Sequence, residues 1–280
     1  MTWSAAQGHV FLFDLGARQR VSAWSMPAGE RGYSDAAGVA MDEHFHLFVA
    51  DPHSHRVRHF SAFGRHLGDF GSSPPATGDA GRDRAGVLER PLAVALLGRT
   101  IVVAGGDRPR RCGVQRFAPD GGALSPLRSS GDVEERFGAP QAVWADRAGL
   151  LVADTLAGRV QRFRPDGRFV AAVPCAEHGV LSRPVAVARG ADGAILVIDR
   201  GDRAGLRRLS AEGRELEIPP AFADHCRDAT ALTIDERGRL YVLDAHGERV
   251  QRFTAALDFD ACIVDLAEHL TDYEPRHGDS

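Results

Sequence analysis

The chain has 280 residues, 44% of them hydrophobic, enough for one large core or two small ones, and its net charge is −4. With a pI near 6.3 the whole molecule is not an electrostatic trap for nucleic acid or anionic membrane. Lys and Asn are absent and all 34 basic residues are Arg, the bias of a GC-rich genome, which excludes Schiff-base lysines, phosphate-loop lysines and N-glycosylation sites.

The opening Met1-Thr2-Trp3-Ser4 has no basic segment ahead of an apolar stretch, so no signal peptide is expected. No apolar run approaches the roughly 18 residues of a membrane span. Cys112, Cys175, Cys226 and Cys262 form no C-x-x-C pair and read as free thiols of a cytoplasmic protein.

From the first residue onward one pattern recurs: an apolar run, a polar turn, a second apolar run ending in Asp, another turn, then Val-x-x-Phe and a Gly turn. The first copy starts on its innermost strand and closes at Asp14. The second spans residues 38–42, 47–51 and 56–60. The third has Gly105 where Asp is expected and a longer turn before Val114. The fourth is the clearest, with residues 141–146, 150–154 and 159–163 followed by Pro165-Asp166-Gly167. The fifth carries Leu206 and Leu209 for the usual Val and Phe, and the sixth spans 231–235, 240–244 and 249–253. The closing residues Asp14, Asp51, Gly105, Asp154, Asp199 and Asp244 step by 37, 54, 49, 45 and 45 residues.

Runs this short, bounded by Gly, Pro and Asp, are strands. They are apolar on both faces because each small sheet is sandwiched between two others. A strand quartet every ~40–50 residues predicts an all-β, six-bladed β-propeller, a single domain over residues 1–266 with a flexible tail at 267–280. The short first step predicts a missing or rudimentary outer strand in the first blade. Residues 258–266 are either the outer strand of the last blade or a segment reaching across to the first.

The elements Pro-x-x-Val-Ala-x-Asp, Leu-x-Val-Ala-Asp, Arg-Val-x-x-Phe and Pro-Asp-Gly resemble the NHL repeat over most of the chain. The Pro-ending linkers at 89–91, 138–140 and 182–184 agree with it. The resemblance implies a binding face made of the second-to-third-strand turns and the interblade linkers. It also implies that an enzyme of this shape would carry its ligands where the innermost strands start. NHL-type amidating lyases need histidines there, and lactonase-type propellers use Asn and acidic ligands for a divalent cation. Here those positions hold Leu92, Gln141, Val185 and Thr230, with Ala36-Ala37 in the second copy. The expected function is therefore a non-enzymatic binding or scaffold module that engages a protein partner, with no catalytic residue and no cofactor assigned. One alternative is a metal-dependent lyase or hydrolase at the channel mouth, built from linker residues such as Asp132, Glu134, His178, Asp224 and His225. A second is an RNA-binding NHL propeller.

The repeated pairs Asp51/Arg56, Asp154/Arg159 and Asp244/Arg249, and more loosely Asp14/Arg20, read as turn structure, the carboxylate accepting backbone N–H groups and the Arg neutralising it. If they neutralise each other, Arg108, Arg110 and Arg111 in the third copy and Arg200 and Arg203 in the fifth remain as a positive strip. With His53, these are the candidate contacts for a protein partner, a small anionic ligand or RNA. No aromatic residue lies within those two arginine-rich turns to stack on a base. Six of the twelve histidines lie between positions 44 and 66. The pairs His44/His46 and His53/His55 fall at opposite ends of a five-residue strand, roughly 16 Å apart, so only His44, His46 and His66 can share an end and remain weak metal candidates. The linker at 71–90 is the longest and reads as a lid, a recognition element or a tolerated insertion. No nucleophile elbow, phosphate loop, H-E-x-x-H or dinucleotide fingerprint occurs.

Overall fold

The computed structural model describes residues 2–4, 9–14, 19–26, 36–74, 84–106, 113–128, 137–173, 181–201, 204–226, 228–245 and 248–265. The tail at 267–280 lies outside the described residues. Six antiparallel sheets follow one another along the chain. Blade 1 has three strands, β1 (Thr2–Ser4), β2 (His9–Asp14) and β3 (Gln19–Ser25). Blade 2 comprises β4 (Val39–Met41), β5 (Leu47–Asp51), β6 (Arg56–Phe60) and β7 (His66–Phe70). Blade 3 comprises β8 (Pro91–Leu97), β9 (Thr100–Gly105), β10 (Gly113–Phe117) and β11 (Ala123–Leu127). Blade 4 comprises β12 (Pro140–Asp146), β13 (Gly149–Asp154), β14 (Arg159–Phe163) and β15 (Phe169–Val173). Blade 5 comprises β16 (Pro184–Arg189), β17 (Ile195–Asp199), β18 (Gly205–Leu209) and β19 (Glu215–Leu216). A short helix α1 (Ala221–His225) leads into blade 6, with β20 (Ala229–Ile234), β21 (Leu240–Asp244), β22 (Arg249–Phe253) and β23 (Phe259–Asp265).

Burial explains the strand composition. The second strands β5, β13 and β17 are buried at every residue, because each lies mid-sheet and is covered by a sheet on either side. The third strands β6, β10, β14 and β18 share one pattern, half-exposed at the first and fourth residues and buried at the others. Their last residues, Phe60, Phe117, Phe163 and Leu209, are buried, as is Phe253 in β22.

Six hydrophobic clusters occupy six seams, one between each pair of neighbouring blades. Val10 and Met26 meet Leu47 and Val49 between blades 1 and 2. Phe48 and Phe70 meet Val94 and Phe117 between blades 2 and 3. Val102 and Leu127 meet Leu150 and Phe163 between blades 3 and 4. Leu151 and Val173 meet Val187 and Leu209 between blades 4 and 5, and Leu196 and Ile198 meet Leu240 and Phe253 between blades 5 and 6. In the sixth seam Phe11 and Phe13 of β2 pack on Tyr241, Ile263 and Val264, which joins the last blade to the first and makes the arrangement a closed β-propeller. Each of the other five seams also takes an apolar plug from its linker: Ala36, Leu88, Phe137, Leu181 or Phe222.

Ring closure settles the two readings of residues 258–266. β23 pairs antiparallel with β22 from Arg249↔Asp265 to Phe253↔Phe259, so it is the outer strand of blade 6 and does not cross to blade 1. Blade 1 has no fourth strand among the described residues, as its short repeat predicts. Among the described residues no strand of one blade is contributed by the far end of the chain, and side-chain packing joins the last blade to the first.

The last seam is therefore expected to be as strong as an ordinary one. Phe11→Ala and Phe163→Ala should each destabilise the fold by about 3–5 kcal/mol, measured by urea unfolding. A Phe11→Ala cost near zero would show that the seam between blades 6 and 1 is open in solution.

Candidate functional site

In an antiparallel four-strand meander, the second-to-third-strand turns and the interblade linkers emerge at one end of each blade. This end is called the linker face here. The first-to-second and third-to-fourth turns emerge at the opposite end, the hairpin face.

The linker face is organised by the Asp that closes each second strand. Asp51, Asp154, Asp199 and Asp244 are all buried. Asp154 Oδ1 accepts from Gly138 N at 2.7 Å and Ala139 N at 2.9 Å, both in the linker entering its own blade. Asp199 accepts from Ser182 N at 2.8 Å, Arg183 N at 2.6 Å and Gly201 N at 3.1 Å. Asp244 accepts from Asp228 N at 3.2 Å. Asp51 instead accepts from its own turn, from His53 N and Ser54 N, each at 3.1 Å. Burial pushes the Asp154 carboxyl above the usual carboxylate range, and the hydrogen bonds and Arg159 offset this only in part.

The expected Asp–Arg pairing holds loosely in blade 4, where Arg159 Nε stands 3.5 Å from Asp154 Oδ2, and differs in blade 2. There Arg56 donates to the carbonyl of Gly71, and Arg58 Nε contacts Asp51 Oδ2 at 2.8 Å. Arg58 holds the middle position of its strand, which is buried and polar in five blades: Arg58, Gln115, Gln161, Arg207 and Gln251. Sequence reading passed over this position, although a polar residue recurring inside an otherwise buried Val-x-x-Phe strand signals it. Gln161 Nε2 donates to Asp154 Oδ2 at 3.1 Å, Gln115 Oε1 accepts from Gly86 N at 3.2 Å, and Gln251 donates to the carbonyl of His225. In these four blades the side chain ties the strand to a linker or to the Asp that closes the second strand.

Blade 3 departs from the scheme for a steric reason. A Cβ on Gly105 would lie 2.5 Å from Arg90 O and 2.7 Å from Pro91 Cα, so the linker occupies the space an Asp would need. Arg90 N donates instead to His55 Nδ1, 3.0 Å away on the second-to-third-strand turn of blade 2.

Turns also reach the following linker elsewhere. Thr155 Oγ1 donates to Pro184 O at 2.6 Å, and Arg200 Nη2 meets Asp228 Oδ1 at 2.7 Å. Arg200, expected in an unpaired positive strip, thus shares its charge with a linker carboxylate. Arg108, Arg110, Arg111 and Arg203 lie outside the described residues, as do Asp132, Glu134 and His178. His53 is exposed on its turn. Asp224 is exposed on α1, and His225 lies flat against Phe259 with ring centroids 3.7 Å apart.

At the mouth of the channel the innermost strands carry a repeated irregularity. The pairing register shifts at Leu92, Gln141, Val185 and Thr230, one bulge in each of blades 3 to 6. These are the positions where a propeller enzyme would place its ligands. All four are half-buried, and Thr230 Oγ1 donates to Leu243 O at 3.3 Å. Among the described residues no three His, Cys, Asp or Glu side chains gather at metal-binding range, and no helix is long and apolar enough to cross a membrane.

His44, His46, His59 and His66 of blade 2 lie towards the hairpin face. His44 and His46 stack with centroids 6.0 Å apart, and His46 meets the His59 ring edge-on at 5.1 Å. His46 also pairs with Asp42 at 3.2 Å, whereas His66 turns to Asp69 at 2.7 Å. The structure thus groups His44 and His46 with His59 rather than with His66. Burial pushes Asp42 up, but the backbone N–H groups of His46 and His44 and the two rings outweigh it and hold its carboxyl below the usual range. His59 stands where blades 3 to 6 have Arg116, Arg162, Arg208 and Arg252. It stacks on Phe48 at 4.6 Å with an interplanar angle of 8°, and its Nε2 is buried without a hydrogen-bond partner. Burial, then the cationic forms of His46 and His66, hold its pKa below the ordinary histidine value against the opposing pull of Asp42. Beside this cluster two phenylalanines are exposed, Phe45 at 61% and Phe63 at 84%. Phe45 has φ +62°, in the turn position that Gly238 takes in blade 6.

No family model and no curated protein matches the sequence. Similar solved structures are propellers at low identity. A protein of unknown function from Bacteroides caccae has a TM-score of 0.63 at 15% identity, over 92% of this chain and 90% of that one. A nidogen/laminin complex gives 0.59 at 17%, over 90% and 88%. Virginiamycin B lyase from Staphylococcus aureus gives 0.55 at 14%, over 80% and 68%. These similarities show the fold.

The His59 environment makes stability pH-dependent. Its folded pKa is depressed, so the unfolded chain binds the extra proton first, and stability falls as pH drops below about 6.5, the ordinary histidine value. His59→Phe keeps the stacking and should flatten that part of the urea-midpoint profile between pH 7 and pH 5. An unchanged slope would assign the effect to other groups.

Proposed function

We propose that the chain is an NHL-type propeller serving as a cytoplasmic binding module, which engages a protein partner through its linker face. The observation that carries this reading is the use made of the linker-face carboxylates. Asp154 and Asp199 give their oxygens to linker backbone, which fixes the loops to a rigid frame and leaves those carboxylates no role as metal ligands or proton carriers. A preorganised set of loops suits partner recognition, because little ordering entropy is lost on docking. Leu156, 60% exposed on the turn of blade 4, supplies an apolar contact on that frame. Among the similar folds, nidogen in its complex with laminin is a propeller taken up in a protein assembly, while virginiamycin B lyase and the Xanthomonas campestris gluconolactonase are enzymes. Fold alone does not choose between them.

Tagged protein recovered from its own cell lysate, with and without nuclease, tests the reading. A stoichiometric protein that survives nuclease is expected. Leu156→Asp should weaken its binding about 30-fold, the loss of a hot spot of ~2 kcal/mol, while Phe63→Asp on the hairpin face leaves it unchanged. Loss on Phe63→Asp alone would place the partner on the opposite face, and loss on nuclease treatment would favour RNA.

A further inference from the structure

We infer that the contact between His55 and Arg90 is a pH-sensitive latch that holds the linker between blades 2 and 3, the longest in the ring. A backbone N–H can only donate, so His55 Nδ1 must accept from Arg90 N with its lone pair free. Protonating that nitrogen sets donor against donor and breaks the contact. Blades 4, 5 and 6 hold their linkers with the carboxyl groups of Asp154, Asp199 and Asp244, which keep an acceptor oxygen with or without a proton. Blade 3 cannot do this, because Arg90 and Pro91 occupy the space where Gly105 would need a side chain.

The geometry around the latch is committed to it. His55 holds φ +56° at the turn position that Gly158 takes in blade 4, and Arg90 holds φ +42° just before Pro91. Non-glycine residues there are strained, and such strain concentrates at functional positions. The rest of the linker is stapled close by. Ser72 N donates to Gly86 O and Leu88 N to Ser72 O, each at 2.9 Å, closing a neck, and Arg56 ties Gly71 to blade 2.

The charged and titratable groups around His55 come from three sides. Its own blade presents His53, Arg56 and the buried Asp51–Arg58 pair. The linker presents Glu89 and Arg90, and blade 3 presents only Gly105 and Gly106 among the described residues. Glu89 Oε2 is buried without a hydrogen-bond partner, an acceptor beside the latch for a protonated ring. Histidine is the side chain whose ordinary charge change falls between pH 5 and 8.

Amide exchange of the intact protein at pH 7.5 and 5.5, corrected for intrinsic rates, reads the latch directly. Protection of the Arg90 amide should fall at least about threefold at the lower pH, the loss of one exposed hydrogen bond. The Ala139 amide, held by Asp154, should stay protected at both and serves as the internal control. His55→Asn offers an acceptor that does not titrate and tolerates positive φ, so its Arg90 protection should be the same at both pH values. Equal protection of wild-type Arg90 at both values, or the same fall in His55→Asn, would overturn the latch.

Discussion

One interaction organises the molecule: a buried carboxylate at the end of a second strand, accepting hydrogen bonds from the backbone of the linker that enters the same blade. Such a group is costly to bury and useful only if its lone pairs are filled. Filling them from the linker solves two problems together. The linker has to turn from the rim of one blade to the centre of the next, leaving amides without strand partners, and the Asp satisfies them. In blades 4, 5 and 6 these are Gly138 and Ala139, Ser182 and Arg183, and Asp228. Once the linker is pinned, its apolar plug, such as Phe137, Leu181 or Phe222, is delivered into the seam between blades. Polar pinning and hydrophobic sealing are thus two ends of one short segment.

The exceptions are informative because the repeat supplies its own controls. Gly105, His55, His59, Phe45 and Leu257 each depart from what the sister blades hold at the same position. Leu257 has a packing explanation: it accepts φ +70° where Gly121, Gly167 and Gly213 sit in blades 3 to 5, and its side chain is buried in the seam between blades 5 and 6. Gly105 has a steric explanation and brings His55 with it. His59 exchanges an arginine that elsewhere spans to a neighbouring turn, as Arg162 Nη1 does to Ala211 O at 2.7 Å, for an aromatic stack. Phe45 is strained and exposed together, so packing gives no reason for it. Blade 2 and its seam with blade 3 therefore carry most of the departures from the common plan.

The period was legible because each blade needs the same buried strand pair, so composition repeats with it. Six copies, the short first blade and the strand boundaries all follow from that. The partner of each Asp was not legible, since the donors lie about sixteen residues upstream and are backbone groups that any residue supplies. Arg56 and Arg58 show the same limit: two residues apart, they share one face of β6, so spacing does not say which of them reaches Asp51, and it is the buried Arg58 that does. The pairing of Arg200 with Asp228 joins residues 28 positions apart in different blades and has no local signature. The ring closure was ambiguous for a related reason. The outer strand of blade 6 reads the same whether it completes its own sheet or the first, and only its pairing with β22 decides.

Closure by packing alone has a consequence for function. A propeller whose first and last blades share a sheet is tied by backbone hydrogen bonds at the join, whereas here the join is a hydrophobic seam like the other five, without a linker plug among the described residues. Since hydrophobic contacts are non-directional, such a seam can slide slightly without losing its contacts, and a linker pinned by amide-to-carboxylate bonds cannot. Recognition that depends on fixed loop geometry suits the linkers that Asp154 and Asp199 hold. A response to conditions suits the join of blades 2 and 3, where Gly105 leaves no carboxylate and a histidine meets the linker instead.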